Sequence, residues 1–128
     1  MRRYLGVLAC FSLLSWDEAR AEALDPANRT HCAAALTVYH TLAVRQGNEK
    51  ARAQLDARIR YDLLVLKGLG GLTAGARAEG LRLARELAGD LDRTADFAGE
   101  CAKRQESEAD FAPAMSQLLA TAGAPTAR

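Results

Sequence analysis

Residues 25–67 read DPANRTHCAAALTVYHTLAVRQGNEKARAQLDARIRYDLLVLK, and this stretch decides the fold. It spells out two helices and the joint between them. Asp25-Pro26 is a helix start, because Asp caps free N–H groups and Pro suits the first helical position. The first helix is expected from about Pro26 to Gln46. Cys32, Leu36, Tyr39 and Ala43 recur on one face, with Ala35, Val38 and Leu42 beside them. Gly47 ends it, as Gly does just past a helix C-terminus. Asn48 then caps a second helix, from about Glu49 to Lys67, whose apolar face is Leu55, Ile59, Leu63 and Leu66. Arg52, Asp56 and Arg60 form an i,i+4 charge ladder on another face. A joint of one or two residues allows only an antiparallel hairpin.

Working downstream, Gly68 to Gly75 is a glycine-rich loop and Thr73 caps a third helix reaching about Ala88. Gly80 inside that helix costs about 1 kcal/mol relative to Ala. Leu81, Ala84, Ala88, Leu91, Ala95, Ala98 and Ala102 recur as one stripe of small and apolar residues. Gly89-Asp90 interrupts it and marks a break, with Asp90 as the next cap. The segment near 91–105 carries Cys101. Asp110 opens the last element, with Pro113 at its third position, where no intrahelical N–H bond is lost. That helix is expected over Phe111 to about Thr121, followed by a flexible tail, 123–128. The expected fold is all-α: a small four- to five-helix bundle with antiparallel hairpins and one disulfide, forming a single domain over 22–122.

Ile59 to Lys67 is the one stretch that competes as a strand, and the glycine loop after it invites a nucleotide-binding reading. Its glycines, at 68, 70, 71 and 75, miss the dinucleotide fingerprint, and no Lys-Ser/Thr pair follows. No further strands exist to build a parallel sheet.

Upstream, residues 1–21 read as a secretory signal peptide. Arg2 and Arg3 are followed by the apolar run Leu5–Trp16, and Ala19-Arg20-Ala21 places small residues before a cleavage at Glu22. The run is shorter than the roughly 20 residues a membrane span needs. Val7-Leu8-Ala9-Cys10 offers a lipoprotein signal through Cys10 as the minor alternative. The expected location is therefore the periplasm or the exterior. The chain has 27 alanines and far more Arg than Lys, which points to a GC-rich, bacterial source.

Loss of the leader removes Cys10 and leaves Cys32 and Cys101, an even pair expected to bridge in an oxidising compartment. It also brings the formal net charge from +1 to zero, which argues against nucleic acid as a partner. The acid-rich segment 86–110 is expected to be a solvated helix face.

No catalytic constellation is present: Cys-x-x-Cys and G-x-S-x-G are both missing. His31 and His40 lie nine residues apart and face opposite sides of one helix, so they cannot share a metal. A metal or non-covalent haem held by one His, with Met115 as second ligand, is the alternative reading, and no cofactor is expected from the main one. Phe111, Met115, Leu118 and Leu119 form an apolar side on the last helix, either capping the bundle or anchoring a partner. The plan resembles small periplasmic helical proteins held by one disulfide, such as acid chaperones and inhibitor or immunity proteins, in architecture alone. The expectation is an exported, non-catalytic protein acting through protein–protein contact with a partner of the cell envelope, chaperone-, inhibitor- or adaptor-like.

Overall fold

Asn28, and not Asp25, opens the first helix. The computed structural model describes residues 24–126, with side chains described as far as Thr121, so the leader 1–21 and Cys10 lie outside the described residues. Helix α1 spans Arg29–Gln46, and the Asn28 side chain accepts the His31 N–H at 3.2 Å. Asp25 is used up in the turn ahead of it, where its carboxylate accepts the Ala27 N–H at 2.9 Å. Asp and Asn cap equally well, and the local Asx-turn at Asp25 moves the start three residues on. Gly47 takes φ 68° at the far end, a left-handed conformation that Gly adopts without steric cost. Its N–H and that of Asn48 donate to the carbonyls of Val44 and Ala43, closing the helix end.

The other helices start where capping chemistry places them. Asn48 opens α2, Glu49–Gly68, by accepting the Ala51 N–H at 3.1 Å. Thr73 opens α3, Ala74–Ala88, by accepting the Ala76 N–H at 3.1 Å. Asp90 opens α4, Leu91–Ser107, by accepting the Arg93 N–H at 3.2 Å. The break at Gly89-Asp90 is thus complete, and the buried Thr94 hydroxyl pins it, 2.7 Å from the carbonyls of both Leu87 and Asp90. Helix α5 is Phe111–Thr126 and runs past the expected end at Thr121. Alanines continue beyond that point, and the single Gly123 costs too little to stop them. The fold is all-α, five helices with no strand among the described residues. None of these helices is long and apolar enough to cross a membrane.

Helix α1 is the centre. It packs on α2, α3 and α4, and five consecutive residues, Cys32 to Leu36, are buried. Five in a row cannot share one helix face, so α1 is enclosed on most sides. Its alanines make that possible by letting three neighbours approach closely. One core joins Ala34, Ala35 and Val38 of α1 to Leu83 and Leu87 of α3 and Phe97 of α4. Cys32 and Cys101 form a disulfide through this core, with their Cα atoms 5.6 Å apart. It bridges 69 positions of sequence, which by loop-closure entropy is worth about 4 kcal/mol. A second core sets Ala57 and Tyr61 of α2 against Phe111 and Met115 of α5.

Two expected apolar faces are displaced from the core. On α3 and α4 the buried positions are Leu83, Leu87, Thr94, Phe97, Cys101 and Gln105. The stripe through Leu81 and Leu91 is out of phase, and those leucines are 62% and 44% exposed. Alanine stripes run along several faces here, and the large side chains Leu87 and Phe97 choose which one turns inward. On α2, Leu55, Ile59, Leu63 and Leu66 are only half-buried, whereas Ala57, Tyr61 and Asp62 are buried. The ladder on α2 is half-formed: Arg60 pairs with Asp56 at 3.0 Å, but Arg52 turns back to Glu49.

Candidate binding groove

Asp62 is fully buried, and its surroundings explain how a carboxylate can be. Burying an isolated charge is prohibitive unless it is paired and hydrogen-bonded. Arg104 of α4 meets it with a two-pronged fork, Nη1 donating to Oδ1 and Nη2 to Oδ2, each at 2.8 Å. Arg29 of α1 donates to Oδ1 at 2.8 Å and grips Glu108 with its other nitrogen at 2.6 Å. Tyr61 adds its hydroxyl, 2.9 Å from Glu108 and 2.8 Å from Asp110. Arg104 also donates from Nε to the Pro26 carbonyl at 2.8 Å, fastening the segment before α1. Two guanidinium groups and two carboxylates at the centre cancel in charge.

The proton affinities follow from this geometry. For both Arg29 and Arg104, burial pulls the affinity down, and hydrogen bonds and charge from Asp62 and Glu108 outweigh it, leaving them above the ordinary value. The hydrogen bond from Arg29 holds Glu108 below the usual carboxylate range against the opposing effect of burial. Burial first, then the hydrogen bonds to Asp110 and Glu108, push the Tyr61 hydroxyl up. Both Asp62 oxygens are taken by guanidinium donors, and no substrate-sized opening reaches them through the clefts described next. This cluster ties α1, α2, α4 and the α4–α5 turn together; it is a structural centre.

A neighbouring face of α1 borders a cleft. Helices α2 and α3 both pack on α1 and hardly on each other. Between them lies a groove of about 330 Å³. Thr30, Ala33, Ala34 and Thr37 of α1 form its floor, Ile59, Leu63 and Leu66 of α2 one wall, and Gly80, Leu81 and Ala84 of α3 the other. It continues past Thr37, Leu81 and Ala84 into a cleft of about 420 Å³ between α1 and α3, reaching Leu42 and Leu91. Lining residues advance along α1 and α3 in the same order, so these two helices run parallel beside the groove. Sizes of this kind are those of binding pockets. The expected apolar face of α2 and the expected stripe of α3 both end here. They are apolar as a core face should be, and no other helix among the described residues lines the groove.

Three arginines border this surface: Arg77, Arg45 and Arg85. None of them makes an ion pair or side-chain hydrogen bond among the described residues, while Arg29, Arg52, Arg58, Arg60, Arg82 and Arg104 are all ion-paired. No Asp or Glu lines either cleft.

The residues singled out from sequence fall elsewhere. His31 is half-buried, and its Nδ1 accepts the Asp25 N–H at 3.2 Å. Burial lowers its proton affinity, against Glu79 and Asp25 and with Arg82. Met115 belongs to the α2–α5 core, whereas the charged neighbours of His31 are Asp25 ahead of α1 and Glu79 and Arg82 on α3. His40 is half-buried on α1. Among the described residues no group of three or more His, Cys, Asp or Glu is placed to hold a metal ion. Phe111 and Met115 are buried against Ala57 and Tyr61, with Leu118 and Leu119 packed at the edge of that cluster, so their apolar side is occupied within the chain. The acidic segment 86–110 is not uniformly solvated: half-buried Glu108 joins the cluster, Asp110, though exposed, accepts the Tyr61 hydroxyl, and Glu106 pairs with Arg58 at 2.8 Å. No protein-family model, curated protein or solved structure matches this chain.

Proposed function

We propose that this chain is an exported, periplasmic, non-catalytic protein that binds a protein partner of the envelope in the groove between α1, α2 and α3, as an adaptor, inhibitor or chaperone does. One observation carries the reading: Ile59, Leu63 and Leu66 of α2 and Leu81 and Ala84 of α3 have the pattern of core faces and flank a groove of about 330 Å³ floored by small residues of α1. Contiguous apolar surface of this kind marks interaction sites. The leader at 1–21 and a bridged cysteine pair support export.

A photo-crosslinking residue placed at Leu81 tests the reading in cells of the source organism. Leu64, 57% exposed on α2 and outside the groove, is the control. A discrete adduct at position 81 and none at 64 is expected, on protein cut before Glu22. Equal labelling at both positions, or none at 81, would overturn the groove as the working surface.

A further inference from the structure

The groove has a length, a polarity and a charge, and together they specify its occupant. Resting on the binding role proposed above, we infer that the groove takes an amphipathic α-helix whose apolar stripe is flanked by carboxylates. The length comes from α1. From Thr30 to Thr37, about 10 Å, the groove is walled by both α2 and α3; from Thr37 to Arg45 it runs on between α1 and α3 alone, so the two clefts together follow α1 for about 22 Å, or four helical turns. A helix of about fifteen residues lying along α1 and α3 matches that run, with its apolar side chains entering the clefts and about two of its turns also meeting α2.

The floor supports a helix. Thr30, Ala33, Ala34, Gly80 and Ala84 keep the surface low, so an incoming backbone approaches closely. Gly80 is the telling residue. A Cβ added there would meet Thr30 Cγ2 at 3.5 Å, an ordinary contact, so the fold itself does not require glycine. Glycine nonetheless stands in mid-helix, where it weakens α3 relative to alanine. What its missing side chain preserves is the depth of the groove.

The charge comes from Arg45, Arg77 and Arg85, the bordering arginines with no ion-pair partner among the described residues. Every lining carboxylate that might have neutralised them is missing. Arg77 and Arg85 are eight positions apart, about 12 Å along α3, so the single headgroup of a fatty acid reaches only one of them. Carboxylates spaced along a peptide helix reach both, each as a charge-assisted, two-pronged pair. Leucine-type anchors between them fill the apolar clefts, the usual helix-in-groove mode.

The test is selection against the disulfide-bonded protein. The probe is a displayed library of amphipathic helices of about sixteen residues, with leucines fixed along one face and each flanking position drawn from Glu, Lys and Gln. Enrichment of Glu is expected. The best binder should bind at least about tenfold more weakly to the Arg77→Gln/Arg85→Gln protein, whose two changes are on the surface and leave the fold intact. The Arg77→Glu/Arg85→Glu protein should enrich Lys instead. Enrichment of Lys, or of no charge, by the unaltered protein overturns the acidic partner and leaves the groove as a protein-binding site. No enrichment of any helix overturns both this inference and the binding role, whether the groove then proves to take palmitate or a second copy of the chain.

Discussion

Two adjoining faces of α2 carry similar chemistry to opposite ends. On one side Asp62 and Tyr61 meet Arg29, Arg104 and Glu108, and every guanidinium there is paired. On the adjoining face Ile59, Leu63 and Leu66 line a groove bordered by arginines that have no such partner among the described residues. The closed side shows what an arginine of this protein does when it serves the fold. It approaches a carboxylate from a distant helix to within 3 Å. In the binding role proposed above, the groove arginines are the ones left for an acidic partner.

Removing a charge from the closed side should have one of the two largest effects. Asp62→Ala takes the fully buried partner from two partly buried guanidinium groups, and breaking a buried pair from one end costs about 3–5 kcal/mol, here toward the lower figure. Urea denaturation of the variant should show a loss of that size; a loss under about 1 kcal/mol would mean water enters the cluster freely. Cys32→Ser/Cys101→Ser should have the other, with an expected loss of about 4 kcal/mol. Intact mass with and without reductant should confirm the bridge first, as a difference of about two protons.

Acid should loosen the same side by a smaller amount. Arg29 holds Glu108 below the usual carboxylate range in the folded state, so the folded protein binds fewer protons than the unfolded one. Its contribution is present above the ordinary carboxylate value of about 4.3 and is lost as pH falls through the depressed folded value. Glu108 is partly exposed, which limits the loss to about 1 kcal/mol. His31, also depressed, adds a decline in the same direction, starting as pH drops below about 6.5. Melting temperatures from pH 7 to pH 3 should fall in two stages, and Glu108→Gln should flatten the lower one.

The groove side should respond oppositely. Gly80→Ala should raise stability by up to about 1 kcal/mol, since the fold has room for the methyl group. A destabilised variant would mean the glycine is needed for packing against Thr30. Smallest of all, Arg77→Ala and Arg85→Ala should each change stability by less than about 0.5 kcal/mol, as for surface residues without partners. A larger loss in either would assign that arginine to the closed side's kind of role.

How much of this was legible in the sequence depends on the range of the interaction. Caps act over three residues, and Asn48, Thr73 and Asp90 set their helices where local chemistry places them. The pairing of Cys32 with Cys101 was expected because only those two cysteines lie outside the segment read as a leader. Asp62 was invisible because its partners lie 33 and 42 positions away, and nothing within α2 distinguishes it from solvated Asp56. The inward face of α3–α4 was ambiguous because alanine fits core and surface alike. Gln105 and Thr94, both polar and buried, further blurred the pattern. The groove was half-legible: its apolar residues were recognised, and their being left uncovered depends on how α2 and α3 splay across α1.

Backbone amide NMR of the disulfide-bonded protein, titrated with the best Glu-flanked helix from the selection, puts the contrast between the two sides to the most direct trial. Shift changes should cluster at residues 30–45 of α1, 59–66 of α2 and 76–88 of α3, and spare Gln105 and Phe111 to Met115. Changes centred on Tyr61, Gln105 and α5, with the groove amides unmoved, would show that binding belongs to the closed side and that the groove is only a gap in the packing.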